Sequence, residues 1–184
     1  GESGALAEMV NGMLTLAKAD RGDDIPKEPV SLAQVVSDVS RSAQPRALAK
    51  HVDLEFEHEG TPTVLGDPSL LRQLAANLVD NAVKFTERGR IDVRVGGDDA
   101  HAWLEVADSG PGIPEAELPY VFDRFYRADK ARSRVVPGTG LGLAIVRSIA
   151  RVHGGQVSAA RAAAGGALFR VTFPKMALPL SGSS

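Results

Sequence analysis

The sequence predicts an α+β fold in which helices pack on one face of a mixed, mostly antiparallel β-sheet. Residues 68–85 place apolar side chains three and four positions apart, which is the period of one helical face. Residues 90–95, RIDVRV, and 102–108, AWLEVAD, are predicted strands separated by the turn-forming sequence GGDDAH, which predicts a β-hairpin with a turn of about four to six residues. Residues 52–56 alternate apolar and charged side chains, as a half-buried strand does.

The remaining elements follow from the same rules. Asp67 and Pro68 are typical of a helix start, because the carboxylate caps free amides and proline at the first position loses no hydrogen bond. The other predicted elements are a short strand at Val30, a helix over 32–43, an extended segment over 61–67, a helix from Leu141 to Gly154, and strands near 155–160 and 167–173.

The N-terminal part has a different pattern. Leu6, Met9, Met13 and Leu16 form a narrow helical seam of the kind that packs on another helix. The turn-forming residues that follow indicate a linker. We therefore expect four segments, namely a helix end over 1–20, a linker over 21–28, the main domain over 29–176 and a flexible tail over 177–184.

Bulk composition excludes several classes of function. The net charge of the 184 residues is -2, so there is no basic field that would suggest a nucleic acid as a direct partner. The chain has no cysteine, which excludes disulfides and thiolate metal sites. No apolar run approaches the ~20 residues needed to span a membrane.

One helix carries an unusual polar edge. At about 100° per residue, Asn77, Asn81 and Lys84 fall within roughly 60° of one another, beside the apolar face of the helix predicted over 68–85. Asparagine is only a moderate helix former, so two of them four positions apart suggest a function. The same stripe also suits an ordinary solvated shoulder, and the helix alone does not separate the two interpretations.

Two glycine-rich stretches are candidates for ligand contact. DSGPGI, residues 108–113, follows a predicted strand, and PGTGLGL, residues 137–143, precedes a predicted helix. Glycine allows a ligand to approach the backbone closely, and free amides at a helix start favour phosphate. Neither stretch matches the phosphate-binding G-x-x-x-x-G-K-[ST] loop or the dinucleotide-binding G-x-G-x-x-G pattern.

Four motifs occur together in a fixed order: N-x-x-x-N-A-x-K-F at 77–85, D-x-G-x-G-I at 108–113, FDRFYR at 122–127 and GTGLGL at 138–143. This order and spacing resembles the N, G1, F and G2 boxes of the ATP-binding catalytic domain of bacterial sensor histidine kinases. The resemblance covers roughly residues 29–175. It implies membership of the GHKL superfamily and the Bergerat fold, a two-layer sandwich.

The resemblance implies roles for the residues of the polar edge. Asn81 would bind Mg²⁺, and Asn77 would be a second or water-mediated ligand. Lys84 would reach phosphate, and Phe85 would line the adenine pocket. Residues 113–139 resemble the family's ATP lid, whose Arg127 would meet the triphosphate. Asn77, Lys84 and Arg127 are thus the implied catalytic residues, and ATP and Mg²⁺ the implied cofactors.

The glycine boxes would hold the nucleotide itself. By the family pattern Asp108 accepts a hydrogen bond from the adenine amino group, and Gly110, Gly112 and Ile113 complete the G1 box. The G2 box comprises Gly138, Thr139, Gly140, Leu141 and Gly142. Elsewhere in the lid, Phe122 and Phe125 would anchor the base, whereas Lys130, Arg132 and Arg134 either meet phosphate or are solvated.

A kinase of this family also needs a phosphoacceptor histidine. None of the four histidines, His51, His58, His101 and His153, lies in a phosphoacceptor box. Residues 5–19 resemble the end of the second dimerisation helix, so we expect a piece of a longer, membrane-anchored homodimeric kinase in two-component signal transduction. Its catalytic domain would lie in the cytoplasm at a bacterial inner membrane. Its partners would be its own dimerisation domain, which it phosphorylates, and a response regulator.

Two alternatives remain from the sequence. The first is a GHKL-type ATPase or chaperone, in which a glutamate acts as the base toward water at the position that Asn77 holds here. The second is a nucleotide-binding interaction module that has lost catalysis.

Overall fold

The computed structural model describes residues 25–123, 142–163 and 165–176, and five positions of an N-terminal helix at 10, 13, 14, 16 and 17. In chain order its elements are β1 (Glu28–Ser31), α1 (Leu32–Ala49), β2 (Val52–His58), β3 (Thr63–Gly66), α2 (Pro68–Phe85), β4 (Gly89–Gly97), β5 (His101–Asp108), a 3₁₀ helix (Glu115–Tyr120), α3 (Gly142–Val152), β6 (Gln156–Arg161) and β7 (Ala167–Pro174).

Five of these strands form one sheet in the order β2-β4-β5-β7-β6. Strand β2 runs parallel to β4, and every other neighbouring pair is antiparallel. Strands β1 and β3 form a separate antiparallel pair. The predicted mixed, mostly antiparallel sheet is therefore confirmed.

The two faces of the sheet differ in chemistry. Val93, Val106 and Phe169 lie opposite one another in register and are buried under the helices. The neighbouring register row carries Arg94, Glu105 and Arg170 on the other face, where Glu105 and Arg170 form an ion pair. Because side chains alternate along a strand, one face contributes to the core and the other meets water.

Helix α2 is the central helix of the layer that covers the sheet. It packs between α1 and α3 and contacts β4 and β5. Its bounds, Pro68–Phe85, are those that the apolar period predicts. The Asp67 carboxylate accepts hydrogen bonds from the Ser69 and Leu70 amides at 2.8 and 3.2 Å, so the predicted cap is present. Eight residues of the helix are buried: Leu70, Leu71, Leu74, Ala75, Leu78, Val79, Ala82 and Val83.

Two local predictions were wrong. Helix α1 continues to Ala49 instead of ending near Ala43, and it contains Pro45. Proline removes one helical hydrogen bond, but its side chain is exposed, while Ala43 and Ala47 remain buried and hold the last turns against the core.

The second error concerns the hairpin between β4 and β5. Its loop is only residues 98–100, because Gly96 and Gly97 continue β4. The Asp98 carboxylate accepts hydrogen bonds from the amides of Ala100 and His101, which closes the short turn.

The N-terminal positions contribute to the same core. Leu16 and Ile25 are buried with the main hydrophobic cluster, whereas Met13 is half exposed. Leu6 and Met9 of the predicted seam lie outside the described residues. Within the part of the chain that the structure describes, none of the helices is both long and apolar enough to cross a bilayer.

A buried histidine joins the end of α3 to the start of α2. The Nδ1–H of His153 donates to the carbonyl of Ile149 at 2.7 Å, and its Nε2 accepts the amide hydrogen of Asp67 at 3.1 Å. The ring also meets Phe173 edge-on, with centroids 6.1 Å apart. Burial has the largest effect and lowers the pKa of His153. The hydrogen bond to the Ile149 carbonyl raises the pKa by a smaller amount, and the still smaller effects of Lys27 and Asp67 lower and raise it, respectively.

We predict that this histidine makes stability sensitive to mild acid. Because the folded-state pKa lies below 6.5, the unfolded chain takes up a proton on His153 more readily than the folded chain does. The free energy of unfolding therefore falls as the pH drops from 6.5 toward the folded-state pKa. Above pH 6.5 the contribution of His153 to stability does not change with pH. The slope is at most about 1.4 kcal/mol per pH unit.

Urea unfolding of the wild type and of His153→Gln between pH 5 and 8 measures this effect. The stability advantage of the wild type should narrow toward pH 5, since only the wild type carries the proton-sensitive ring. An advantage that stays constant across this range would contradict the prediction.

Candidate functional site

The polar edge of α2 lies beside the start of α3. Asn77 and Asn81 are half-buried, and Lys84 is exposed one turn further along. The Nδ2 of Asn77 donates to the carbonyl of Gly142 at 3.3 Å. A carbonyl oxygen only accepts, so this bond turns the amide nitrogen of Asn77 toward α3 and orients its Oδ1 away from that carbonyl.

Asp108 is the last residue of β5, and it is 5% exposed. Its Oδ1 accepts the amide hydrogens of Gly110 at 2.9 Å and Ala167 at 3.2 Å. These donors come from two parts of the chain that are far apart in sequence. A buried carboxylate needs such donors, because losing water without replacing its hydrogen bonds is costly.

The predicted G1 loop rests against the end of α2. A Cβ atom on Gly110 would lie 2.8 Å from the carbonyl oxygen of Phe85 and 3.1 Å from Oδ1 of Asp108, so only glycine fits without displacement. The fold thereby brings the last residue of α2 next to the last residue of β5. Gly112 has a φ of 77°, which also favours glycine.

The sequence does not predict the hairpin that covers this loop. A Cβ atom on Gly166, between β6 and β7, would lie 2.0 Å from the carbonyl oxygen of Asp108. A Cβ atom on Gly112 would lie 2.9 Å from the carbonyl of Gly165. The glycine pair before β7 predicts a turn, but nothing in the local sequence tells which element that turn contacts.

The described part of the predicted lid is attached to the sheet and to α3. Ile113 is half-buried against the core. Phe122, the predicted anchor of the lid base, is buried edge-on to Phe169, with ring centroids 6.0 Å apart. The carboxylate of Asp123 pairs with the guanidinium of Arg147 on α3 at 3.3 Å.

Several predicted site residues lie outside the described residues: Phe125, Arg127, Lys130, Arg132, Arg134, Gly138, Thr139, Gly140 and Leu141. Gly142, the last residue of the predicted G2 box, begins α3 and is half-buried. The structure therefore brings together Asn77 with Gly142, and Phe85 with Asp108 and Gly110.

Three helices cover one face of a mixed sheet, and a buried aspartate lies beside the asparagine-bearing helix. This is the class of fold and site that the GHKL resemblance predicts. The family model described as histidine kinase-, DNA gyrase B- and HSP90-like ATPase matches residues 66–177. The chain belongs to this family of ATPases. The predicted superfamily and its two-layer fold are thus confirmed.

Within the family, the similar proteins are sensor kinases. The chain is 36% identical over 153 residues to the sensor histidine kinase YkoH of Bacillus subtilis, covering 83% of this chain and 33% of that protein. It is 42% identical over 153 residues to the kinase/phosphatase MprB of Mycobacterium bovis, covering 82% of this chain and 29% of that protein. The chain therefore spans about a third of the length of these curated relatives.

A solved structure supports the same relationship. Full-length ShkA in complex with AMPPNP is 32% identical and superposes with a TM-score of 0.82, over 97% of this chain and 38% of the ShkA chain. That likeness covers the sheet and helices that hold the candidate site.

We predict that Gly166→Ala destabilises the domain by about 1 to 3 kcal/mol, because the added methyl group would overlap the backbone of Asp108. Thermal unfolding measures the change. Ala163→Ser adds a similar volume at an exposed position of the same hairpin and should unfold like the wild type. Equal stability of Gly166→Ala and the wild type would show that the hairpin is not closely packed against the backbone of Asp108.

Proposed function

We propose that this chain binds Mg²⁺-ATP and is the catalytic domain of a sensor histidine kinase, which transfers the γ-phosphoryl group of ATP to a histidine. The observation that carries the proposal is the buried carboxylate of Asp108, held by the amides of Gly110 and Ala167 beside the end of the asparagine-bearing helix. The similarity to sensor histidine kinases supports the same function.

Asp108 accounts for a preference for adenine. A carboxylate accepts a hydrogen bond from the adenine amino group, whereas guanine presents a carbonyl oxygen at that position, which only accepts. The two amides that bond to Oδ1 hold the group in one orientation. A charge-assisted hydrogen bond contributes about 1.5 to 3 kcal/mol, enough to separate the two bases.

The edge of α2 suits a metal-bound triphosphate. Mg²⁺ prefers oxygen ligands, keeps several waters and usually binds through substrate phosphates and one or two protein groups. In this proposal Asn81 supplies an amide oxygen, and Asn77 supplies a second or water-mediated one, since its nitrogen faces Gly142. Bound Mg²⁺ would neutralise phosphate charge. Lys84, exposed at the same edge, reaches phosphate, and Phe85 lines the base.

The G1 and G2 glycines would then surround the nucleotide, and Arg127 would contact the triphosphate. Phosphoryl transfer depends mainly on positioning and charge stabilisation, so these groups are sufficient without a covalent catalyst. An asparagine at position 77 cannot take a proton, which favours transfer to a protein group over activation of water.

The four histidines do not suit the role of phosphoacceptor. Both ring nitrogens of His153 are committed to buried hydrogen bonds. His58 ends a strand, where its Nδ1 contacts the Gly60 carbonyl, and His51 and His101 lie at the boundaries of regular elements. We therefore propose that a dimerisation domain outside these 184 residues carries the histidine, and that the phosphoryl group passes on to an aspartate of a response regulator.

The longer protein in this proposal is a homodimer that is anchored in the bacterial inner membrane, with this domain in the cytoplasm.

We predict that the chain binds ATP but not GTP in the presence of Mg²⁺, and that Asp108→Asn weakens ATP about ten- to hundredfold. Calorimetric titration measures both affinities. Glu105→Gln is a matched control, because Glu105 lies on the same strand but on the opposite face of the sheet, and it should leave ATP affinity unchanged. Tight GTP binding, or wild-type affinity in Asp108→Asn, would argue against this adenine site.

We also predict that phosphoryl transfer requires a histidine outside these 184 residues. The 184-residue chain, incubated with γ-labelled Mg²⁺-ATP, should form no acid-labile phosphohistidine, whereas a version extended by a dimerisation hairpin that carries a phosphoacceptor histidine should become labelled. Rapid release of inorganic phosphate by the 184-residue chain would instead favour an ATPase. Labelling of the 184-residue chain would mean that one of its four histidines is the acceptor.

A further inference from the structure

We propose that Lys50 is a positioning residue for the phosphate-binding edge of α2 and acts through Lys84. The inference rests on the proposed function, because it concerns how the chain holds a triphosphate. The observation behind it is that one lysine side chain, from the end of α1, bonds to two backbone carbonyls at the end of α2.

A helix leaves its last four carbonyl oxygens without helical partners. In α2 the first of them, on Ala82, accepts the Thr86 amide hydrogen at 3.0 Å. The Nζ of Lys50 donates to the next two, at 2.5 Å to Val83 and 3.1 Å to Lys84. Lys50 therefore fixes the backbone of Lys84 itself.

The backbone of Lys50 is itself held at the end of α1. Lys50 is the C-cap of α1, and its own amide donates to the Ala47 carbonyl at 3.1 Å. The next residue, His51, turns the chain with a φ of 57°. The backbone of Lys50 and its ammonium group thus each bond to the carboxyl end of a different helix, where the helix dipole favours a cation.

A second contact between the same helices lies about one turn earlier. The guanidinium of Arg46 pairs with the carboxylate of Asp80, but both side chains are about half exposed. Exposed pairs contribute little. The bond from Lys50 to the Val83 carbonyl is partly buried, whereas its bond to the Lys84 carbonyl is exposed, so the Val83 bond is the better shielded link between α1 and the last turn of α2.

Loss of the ammonium group would leave two carbonyls to water and release the last turn of α2. The buried face of α2, including Leu74 and Leu78, would remain packed, so the domain should still fold. The side chain of Lys84 would then start from a backbone that is no longer held, and a misplaced cation binds phosphate less well.

Calorimetric titration with Mg²⁺-ATP tests this inference in Lys50→Met. We expect affinity to fall about tenfold, and Lys50→Arg, which keeps the charge and the donors, to recover most of it. Lys175→Met is a matched control, because the Nζ of Lys175 also donates to a backbone carbonyl, that of Asp98 at 3.2 Å, in the β4–β5 loop. This control should change affinity less than about twofold.

A double-mutant cycle separates positioning from general packing. If Lys50 acts through Lys84, then Lys50→Met should cost less than about twofold when Lys84 is already methionine. An equal loss in both backgrounds, an equal loss in Lys175→Met, or unchanged affinity in folded Lys50→Met would each overturn the inference. If Lys50→Met unfolds, Lys50→Gln replaces it in the same cycle with the same criteria.

Failure of the proposed function gives a different result. A wild-type chain that binds no Mg²⁺-ATP would refute the nucleotide site itself, and with it this inference. A wild-type chain that binds Mg²⁺-ATP, with variants that show no effect at position 50, would leave the proposed function standing and refute only the role of Lys50.

Discussion

The rest of the structure depends on the orientation of α2, which must bury one face completely and keep the adjacent edge at the surface. Its apolar residues pack between the sheet, α1 and α3. A rotation of the helix by one residue, about 100°, would carry buried leucines into water and polar amides into the core. The hydrophobic core therefore sets the direction in which Asn77, Asn81 and Lys84 point, although none of these three residues belongs to it.

Packing of the apolar face restrains rotation of α2 more strongly than it restrains translation along the helix axis. Hydrogen bonds, which have a defined geometry, restrain the translation. His153 bonds to the amide of Asp67 where α2 begins, Asn77 bonds to Gly142 near its middle, and Lys50 bonds to carbonyls where it ends. These contacts come from α3 and α1, the two helices beside α2. The two flanking helices thus fix the position of the polar edge along the axis of α2, and they also cover the core.

The sequence predicted best what local chemistry determines. The bounds of α2 follow from its apolar period and from Asp67–Pro68, which all lie within the helix or next to it.

The extent of α1 was underestimated because Pro45 is a strong local helix breaker, and only the burial of Ala47 against the core shows why the helix continues. The hairpin loop was overestimated because Gly96 joins β4 only when Trp103 packs over it; a Cβ there would lie 2.3 Å from the indole. The pairing of Asp108 with the hairpin before β7 joins residues far apart in sequence, which no local pattern reveals.

That pairing links Asp108, the proposed adenine-binding residue, to the sheet. Burying the carboxylate of Asp108 costs solvation free energy, which the amides of Gly110 and Ala167 offset in part. Both amides are held only if the G1 loop and the β6–β7 hairpin lie where glycines at 110 and 166 allow the backbones to approach closely. The orientation of the carboxylate therefore reports the folding of three separate segments. An adenine amino group that bonded to this carboxylate would favour the conformation in which all three are ordered, because a ligand stabilises whichever state binds it more tightly.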